Sequence, residues 1–435
     1  MIKIKSQFLQ FLFIIQLQFC TMNKRLLFIV SFFFYCPFFV KAQTKSLNYY
    51  LQQGKTNSPL LSNYQNQIES LGLDSLKLKA TYGPQVMANG NLTYAPVIHG
   101  WGYDNAITNG QNVSALMLVT KPIIGKNNLS TRLQSFSIDK AITSNQSKIS
   151  QKALEQGITQ QYIACYGSQQ QLALASEILS FLKKEDTTLR KLAQSSVFKQ
   201  TDYLSFKVSL QQQLLIKEQL KTQLLNDLGS LNYLCGIQDS AFQNLEAPNI
   251  EISHPLAFDS SAYAKSYRLD SIKNSNDAKI INLNYKPTLS AFADGGYQSS
   301  LAYKSYKNLG VSVGLNFSLP IYDGKQRKAS LLQNMLLEDS RQKQRDFAKQ
   351  QYQQKALQLQ QQILQYDQLI HQGEDQMKYA KTLINAEKLQ LQTGDVRMTD
   401  YLLSIHNYLD LRTNIIQNNL SKMLLIAQLN NLILQ

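Results

Sequence analysis

Two long stretches of this chain contain no proline. Of nine prolines, none falls between Ile123 and Ala247 and none between Ile321 and Gln435. Proline removes a backbone donor and clashes with the preceding turn, so its absence leaves both stretches free to be continuous helix. Cysteine is scarce: Cys20 and Cys36 lie in an apolar N-terminal segment, and the remaining Cys165 and Cys235 are too few for a disulfide scaffold. Both fall in helical pattern, where a buried thiol is the expected state. There is no phosphate-binding glycine loop, because Gly125-Lys126 and Gly324-Lys325 lack the upstream glycine and the Ser/Thr such a loop needs. No zinc-type Cys/His spacing and no nucleophile elbow occur, and His99, His254, His371 and His406 are scattered. The chain is therefore expected not to be an enzyme and to need no cofactor or metal. The net charge of +15 includes five leader cations, Lys3, Lys5, Lys24, Arg25 and Lys41. The balance is mild, without basic blocks interleaved with aromatics, which argues against nucleic acid as a partner.

What is present begins with a leader. Asn23-Lys24-Arg25 precedes an apolar run from Leu26 to Val40, and Val40-Lys41-Ala42 supplies small residues for a signal peptidase. Residues 1–42 are expected to be a secretory leader, with Met22 as the expected true start. No comparable apolar run follows, so no membrane-spanning helix is expected in the mature chain.

The proline-free stretches carry apolar residues at helical spacing, such as Leu154, Ile158, Tyr162 and Tyr166, or Ile363, Tyr366 and Ile370. Residues 126–194 and 325–392 are expected as helices on the order of 100 Å long at ~1.5 Å per residue. Their stripes are narrow, which suits either a solvated coiled coil or the wall of a water-filled tube. Breaks are expected near Ser195-Ser196 and Gly394-Asp395, with Thr201 and Thr399 as caps of returning helices 200–235 and 398–434.

Between the prolines the period changes to two. Val86, Ala88, Gly90, Leu92 and Tyr94 alternate with polar residues, as do Val113, Ala115, Met117 and Val119. Leu289, Ala291, Ala293 and Tyr297, and then Val311, Val313, Leu315 and Phe317, repeat the rule. Four strands of about ten residues follow, long enough to cross a bilayer at a tilt. A small soluble β-domain with a packed core is the alternative on this pattern alone. The intervening segments, with Trp101, Tyr103, Tyr303 and Tyr306, read as exposed loops at a membrane interface.

The two halves are duplicates. Val113, Ser114, Pro122 and Ile123 recur as Val311, Ser312, Pro320 and Ile321, and Thr201-Asp202-Tyr203-Leu204 recurs as Thr399-Asp400-Tyr401-Leu402, at one offset of 198 residues. Paired Pro84/Pro287 and Pro122/Pro320, the turn Pro320-Ile321-Tyr322-Asp323-Gly324, and Gly394 with Thr399-Asp400-Tyr401-Leu402 give the chain its resemblance to the TolC-like outer membrane efflux family. The resemblance covers essentially all of the mature sequence.

That resemblance implies a mainly α fold with a transmembrane β-barrel contribution. Long antiparallel helical hairpins would form a trimeric α-barrel tube, and four β-strands per chain a twelve-stranded barrel. The expected division is N-terminal helices at 43–83, a first transmembrane hairpin at 84–122, and a first long helical hairpin at 123–235. A linker at 236–260, a helix at 261–286, a second transmembrane hairpin at 287–320 and a second long helical hairpin at 321–435 complete it. Segments 56–83 and 260–285 would stack on the returning helices. The implied function is a passive exit duct for small molecules or proteins in a tripartite efflux or type I secretion system. Such a duct sits in the outer membrane with a long periplasmic extension and works as a homotrimer with a periplasmic adaptor and an inner-membrane transporter. Thr201, Asp202, Gly394, Thr399 and Asp400 would form the periplasmic tip, its gate and the adaptor contact, with Asp400 in a carboxylate ring. Leu391, Val396 and Leu403 depart from the family's latch and ring residues. Pro84, Pro122, Pro287, Pro320 and Gly324 would mark the barrel-tube junctions. A periplasmic coiled-coil scaffold or adaptor without a pore is the competing expectation, and the duplicated strands argue against it.

Overall fold

The computed structural model describes residues 44–103, 110–123, 126–194, 199–239, 243–253, 257–301 and 304–434. The leader, the Ser195-Ser196 break, Gly125 and Tyr303 lie outside them. In chain order the elements are α1 (Leu47–Asn57), α2 (Pro59–Thr81), β1 (Gln85–Tyr94), β2 (Gln111–Pro122), α3 (Lys126–Gln194) and α4 (Gln200–Cys235). After these come α5 (Ala262–Leu283), β3 (Thr288–Ser299), β4 (Leu309–Ser318), α6 (Gln326–Thr393) and α7 (Met398–Leu434). Two short 3-10 turns, Phe258–Ser260 and Ser305–Lys307, precede α5 and β4.

The two longest helices have 69 and 68 residues, as proline-free sequence allows. The N-terminal helical segment is split at Ser58-Pro59. Proline is favourable in a first turn, and the Ser58 hydroxyl accepts from the Leu61 amide at 3.4 Å, so a new helix starts there. Among the described residues no helix is long and apolar enough to cross a membrane.

The helices pack side by side along α3 and α6. In the half nearer the sheet α5 bridges α3 and α6, and in the other half α7 bridges them. On the far flank of α3 lie α2 and, beyond its start, α4. The short and returning helices meet end to end: Asn57 Nδ2 donates to the Cys235 carbonyl at 3.0 Å, covering one of the orphan acceptors at the end of α4. Asn430, near the end of α7, similarly bonds the Ser253 amide (2.9 Å) and the Glu251 carbonyl (2.6 Å) of the segment leading to α5.

The cores are local. Tyr50, Ile158, Tyr162, Leu224, Leu228 and Leu231 pack α1 into the groove of α3 and α4, with Cys165 and Cys235 among them. Both thiols are free, and burial pushes Cys165 to about 12 and Cys235 to about 11. Toward the distal end, Leu182, Leu189, Phe206, Leu391, Met398 and Tyr401 join all four long helices. By contrast α2 buries no residue, and α6 keeps Met335, Phe347, Leu364 and Tyr379 exposed.

The sheet has strand order β1-β2-β3-β4, antiparallel throughout, so β1 and β4 are edges. In the chain, α2 leads into the edge strand β1, and the edge strand β4 leads into α6.

Candidate functional site

Cross-strand partners lie on the same face of a sheet, so register decides what each face presents. Val86 faces Val119, which faces Ala293, which faces Val313; Ala88, Met117, Gly295 and Val311 form the next row, and Gly90, Ala115, Tyr297 and Leu309 the row after. One face is thus apolar across all four strands. Val311 and Val313 are 88% and 83% exposed on it. The opposite face carries Asn89, Asn91, Ser114, Thr120, Asp294, Gln298, Ser312 and Asn316, interrupted by Met87, Leu116, Leu118 and Phe292. Along β2, Ser114, Leu116, Leu118 and Thr120 are half-buried while Ala115, Met117 and Val119 are exposed, so on this strand the polar side is the more sheltered. At the loop end Tyr94, Trp101, Tyr103 and Tyr306 are all exposed.

The junction residues sit where the strands meet the helices. Pro84 and Pro287 immediately precede β1 and β3, Pro122 ends β2, and Pro320 follows β4. Gly324 and Lys325 are both left-handed, at φ 61° and 71°. Asp323 makes this turn possible, accepting from the Lys325 amide (2.9 Å) and the Arg327 amide (2.8 Å) at the start of α6. The Arg327 amide chiefly, with Tyr285 and Lys325, holds its carboxyl below the usual range. Arg327 lies over the Tyr285 ring at 5.7 Å and reaches Asn282 Oδ1 at 2.8 Å, tying α5 to α6. The sequence pattern missed Asp323 in this role, because a capping residue is sought directly before the helix and that position here is Lys325.

At the distal end the structure corrects two expected caps. Thr201 and Thr399 are inside their helices; the Lys199 carbonyl accepts from Asp202 (3.0 Å) and the Arg397 carbonyl from Asp400 (3.1 Å). Gly394, at φ 81°, ends α6, with the Asp395 amide donating to Gln390 (3.0 Å) and Gly394 to Leu391 (3.3 Å), a Schellman closure. Asp202 and Asp400 both occupy first turns, where the helix dipole favours acid. Asp400 is paired within its own chain: Arg397 Nε lies 3.0 Å from Oδ2, next to the Val396 position noted above.

The repeated tyrosines diverge. Tyr203 donates to Asp186 at 3.1 Å, and Arg190 and Lys207 complete the cluster. Tyr401 is 0% exposed and its hydroxyl has no hydrogen-bond partner. Burial, with Glu185 and Glu387 adding to it, raises its phenol above the ordinary range. The positions equivalent to Asp186 and Lys207 are Ile384 and Ile405, both in the apolar core.

A four-stranded antiparallel sheet with one mainly apolar face, set on duplicated helical hairpins, decides the architecture. The chain has the fold of the TolC-like outer membrane channels. No protein-family model and no curated protein matches the sequence. Solved structures do: the outer-membrane channel OprN at 12% identity and TM-score 0.72, covering 89% of each chain. The outer membrane protein VceC of Vibrio cholerae matches at 13% identity and TM-score 0.70, covering 89% of this chain and 95% of that one. The open-state MtrE outer membrane channel of Neisseria gonorrhoeae matches at 12% and 0.69, covering 89% and 88%. This TolC-like fold belongs to a mainly helical chain with one four-stranded antiparallel sheet.

Proposed function

We propose that this protein is the outer-membrane exit duct of a tripartite efflux or type I secretion system, working as a homotrimer. The observation that carries the reading is the apolar face formed by three successive cross-strand rows spanning β1 to β4, while both sheet edges stay unpaired among the described residues. Unpaired backbone amides and carbonyls in hydrocarbon cost several kcal/mol each, so an open four-stranded sheet must close on other copies. Pairing β4 of one copy with β1 of the next keeps the antiparallel order, and three copies make a barrel of about twelve strands, within the usual range. The same lateral step sets the exposed apolar residues of α6 against α2 and α4 of the neighbour and closes the helical layer into a tube.

Strands of 10 to 12 residues match the outer-membrane thickness at a tilt. Export through such a tube is passive, with energy supplied by an inner-membrane transporter reached through a periplasmic adaptor. Thr201, Asp202, Gly394, Thr399 and Asp400, at the distal end of the hairpins, are the residues for gate and adaptor contact. A pore-less periplasmic scaffold gives no account of the apolar sheet face. The test is extraction from outer membranes, mass by light scattering in detergent, and conductance in planar bilayers. A trimer whose gel mobility shifts on heating, with discrete conductance, is expected; lone copies without conductance would refute the duct.

A further inference from the structure

Among the residues of the four strands, the polar face carries a single ionisable side chain, Asp294. It sits at mid-strand in β3, opposite Leu118 on one side and Ser312 on the other. The Ser312 hydroxyl donates to Asp294 Oδ2 at 2.6 Å, which holds the carboxyl in place and leaves acceptor sites uncovered, since a carboxylate has about four. Leu118, Leu116 and Phe292 share that face, and the Phe292 ring lies across Gly314, where an added Cβ would come within 2.5 Å of it. The carboxyl therefore stands alone in a partly apolar wall.

We propose that Asp294 sets the charge preference of the pore, favouring cations over anions. The proposal rests on the duct reading above: closure of three copies turns one carboxyl into a ring at a single height in the barrel. Low-dielectric walls focus the field of such a ring, and no cation on the same face of any strand offsets it. The one lysine within the strands, Lys121, lies on the apolar face at the helical end of β2, opposite Ala291. There it can extend toward the membrane surface instead of the lumen.

The test is the reversal potential of the reconstituted wild-type protein in a KCl gradient, compared with Asp294→Asn, Ser312→Ala and Asp400→Asn. Asparagine has the shape of aspartate and can still accept from Ser312, so the fold is kept. Wild type is expected to prefer cations, Asp294→Asn to lose most of that preference with the reversal potential moving toward zero, and Ser312→Ala to retain it. Conducting channels whose reversal potential ignores Asp294→Asn, or follows Asp400→Asn alone, would overturn the proposal while leaving the duct intact. Absence of any conductance from the wild-type protein would overturn the duct reading and this proposal with it.

Discussion

Replacing each of the two repeat-related tyrosines by phenylalanine should change stability in opposite directions. Tyr401 is fully buried among Ile384, Leu391, Met398 and Ile405, and its hydroxyl is left without a partner. A buried unsatisfied hydroxyl costs about 1 to 3 kcal/mol, and Tyr401→Phe removes it while filling nearly the same volume. The expected result is a gain of about 1 to 2 kcal/mol. Tyr203→Phe instead breaks the bond to Asp186, a charged acceptor for which the typical loss is about 1.5 to 3 kcal/mol. Asp186 keeps Arg190 and Lys207, and the site is half-buried, so about 1 kcal/mol is expected. The two variants should therefore differ by roughly 2 to 3 kcal/mol. Hydrogen exchange of the helix ends around residues 385–405 and 185–206, with thermal melts in one detergent, measures both. If Tyr401→Phe loosens its hairpin as much as Tyr203→Phe does, the orphaned hydroxyl is not the cost assigned to it.

Three further outcomes are expected. Val313→Lys, at mid-strand on the apolar face of β4, should cost about 2 to 4 kcal/mol and deplete the heat-modifiable oligomer on gels, whereas Asn316→Lys on the polar face should assemble. Gly296→Ala should abolish barrel assembly: the added Cβ would meet the Ala115 carbonyl oxygen at 2.1 Å with φ at 156°, while Gly310→Ala, directly opposite with open space around it, should assemble normally. Burial pushes Glu155 up, but bonds from Lys55, Gln151 and Lys152 outweigh it and leave its carboxyl below the ordinary range. Its contribution to holding α1 is thus complete above the unfolded value of about 4.3 and lost as pH falls through the lower folded value. Exchange at Leu47–Asn57 should rise over that acid window in wild type and lose this pH dependence in Glu155→Gln.

Much of the architecture was legible from local pattern. Proline placement bounded the strands and the long helices because proline acts on its own φ and its own amide, whatever the rest of the chain does. Alternation marked the strand faces for the same reason, since successive side chains point to opposite sides wherever the strand ends up. The capping threonines were misplaced by two residues, because helix ends depend on which carbonyl the first turn selects, and Lys199 and Arg397 supply those carbonyls.

By itself, then, the sequence determined the elements, their duplication and the two-sided character of each strand, all of which are set by neighbours a few residues apart. Only the tertiary structure decided that the four apolar faces coincide, since that requires Val119 to meet Ala293 and Ala293 to meet Val313 in register. It also decided the fates of residues that look alike in the two repeats: Asp400 is held by Arg397, Tyr203 by Asp186, and Tyr401 by nothing but apolar packing. Pairings of that kind join parts of the chain whose separation carries no local signal, so they exist only once the layers have packed.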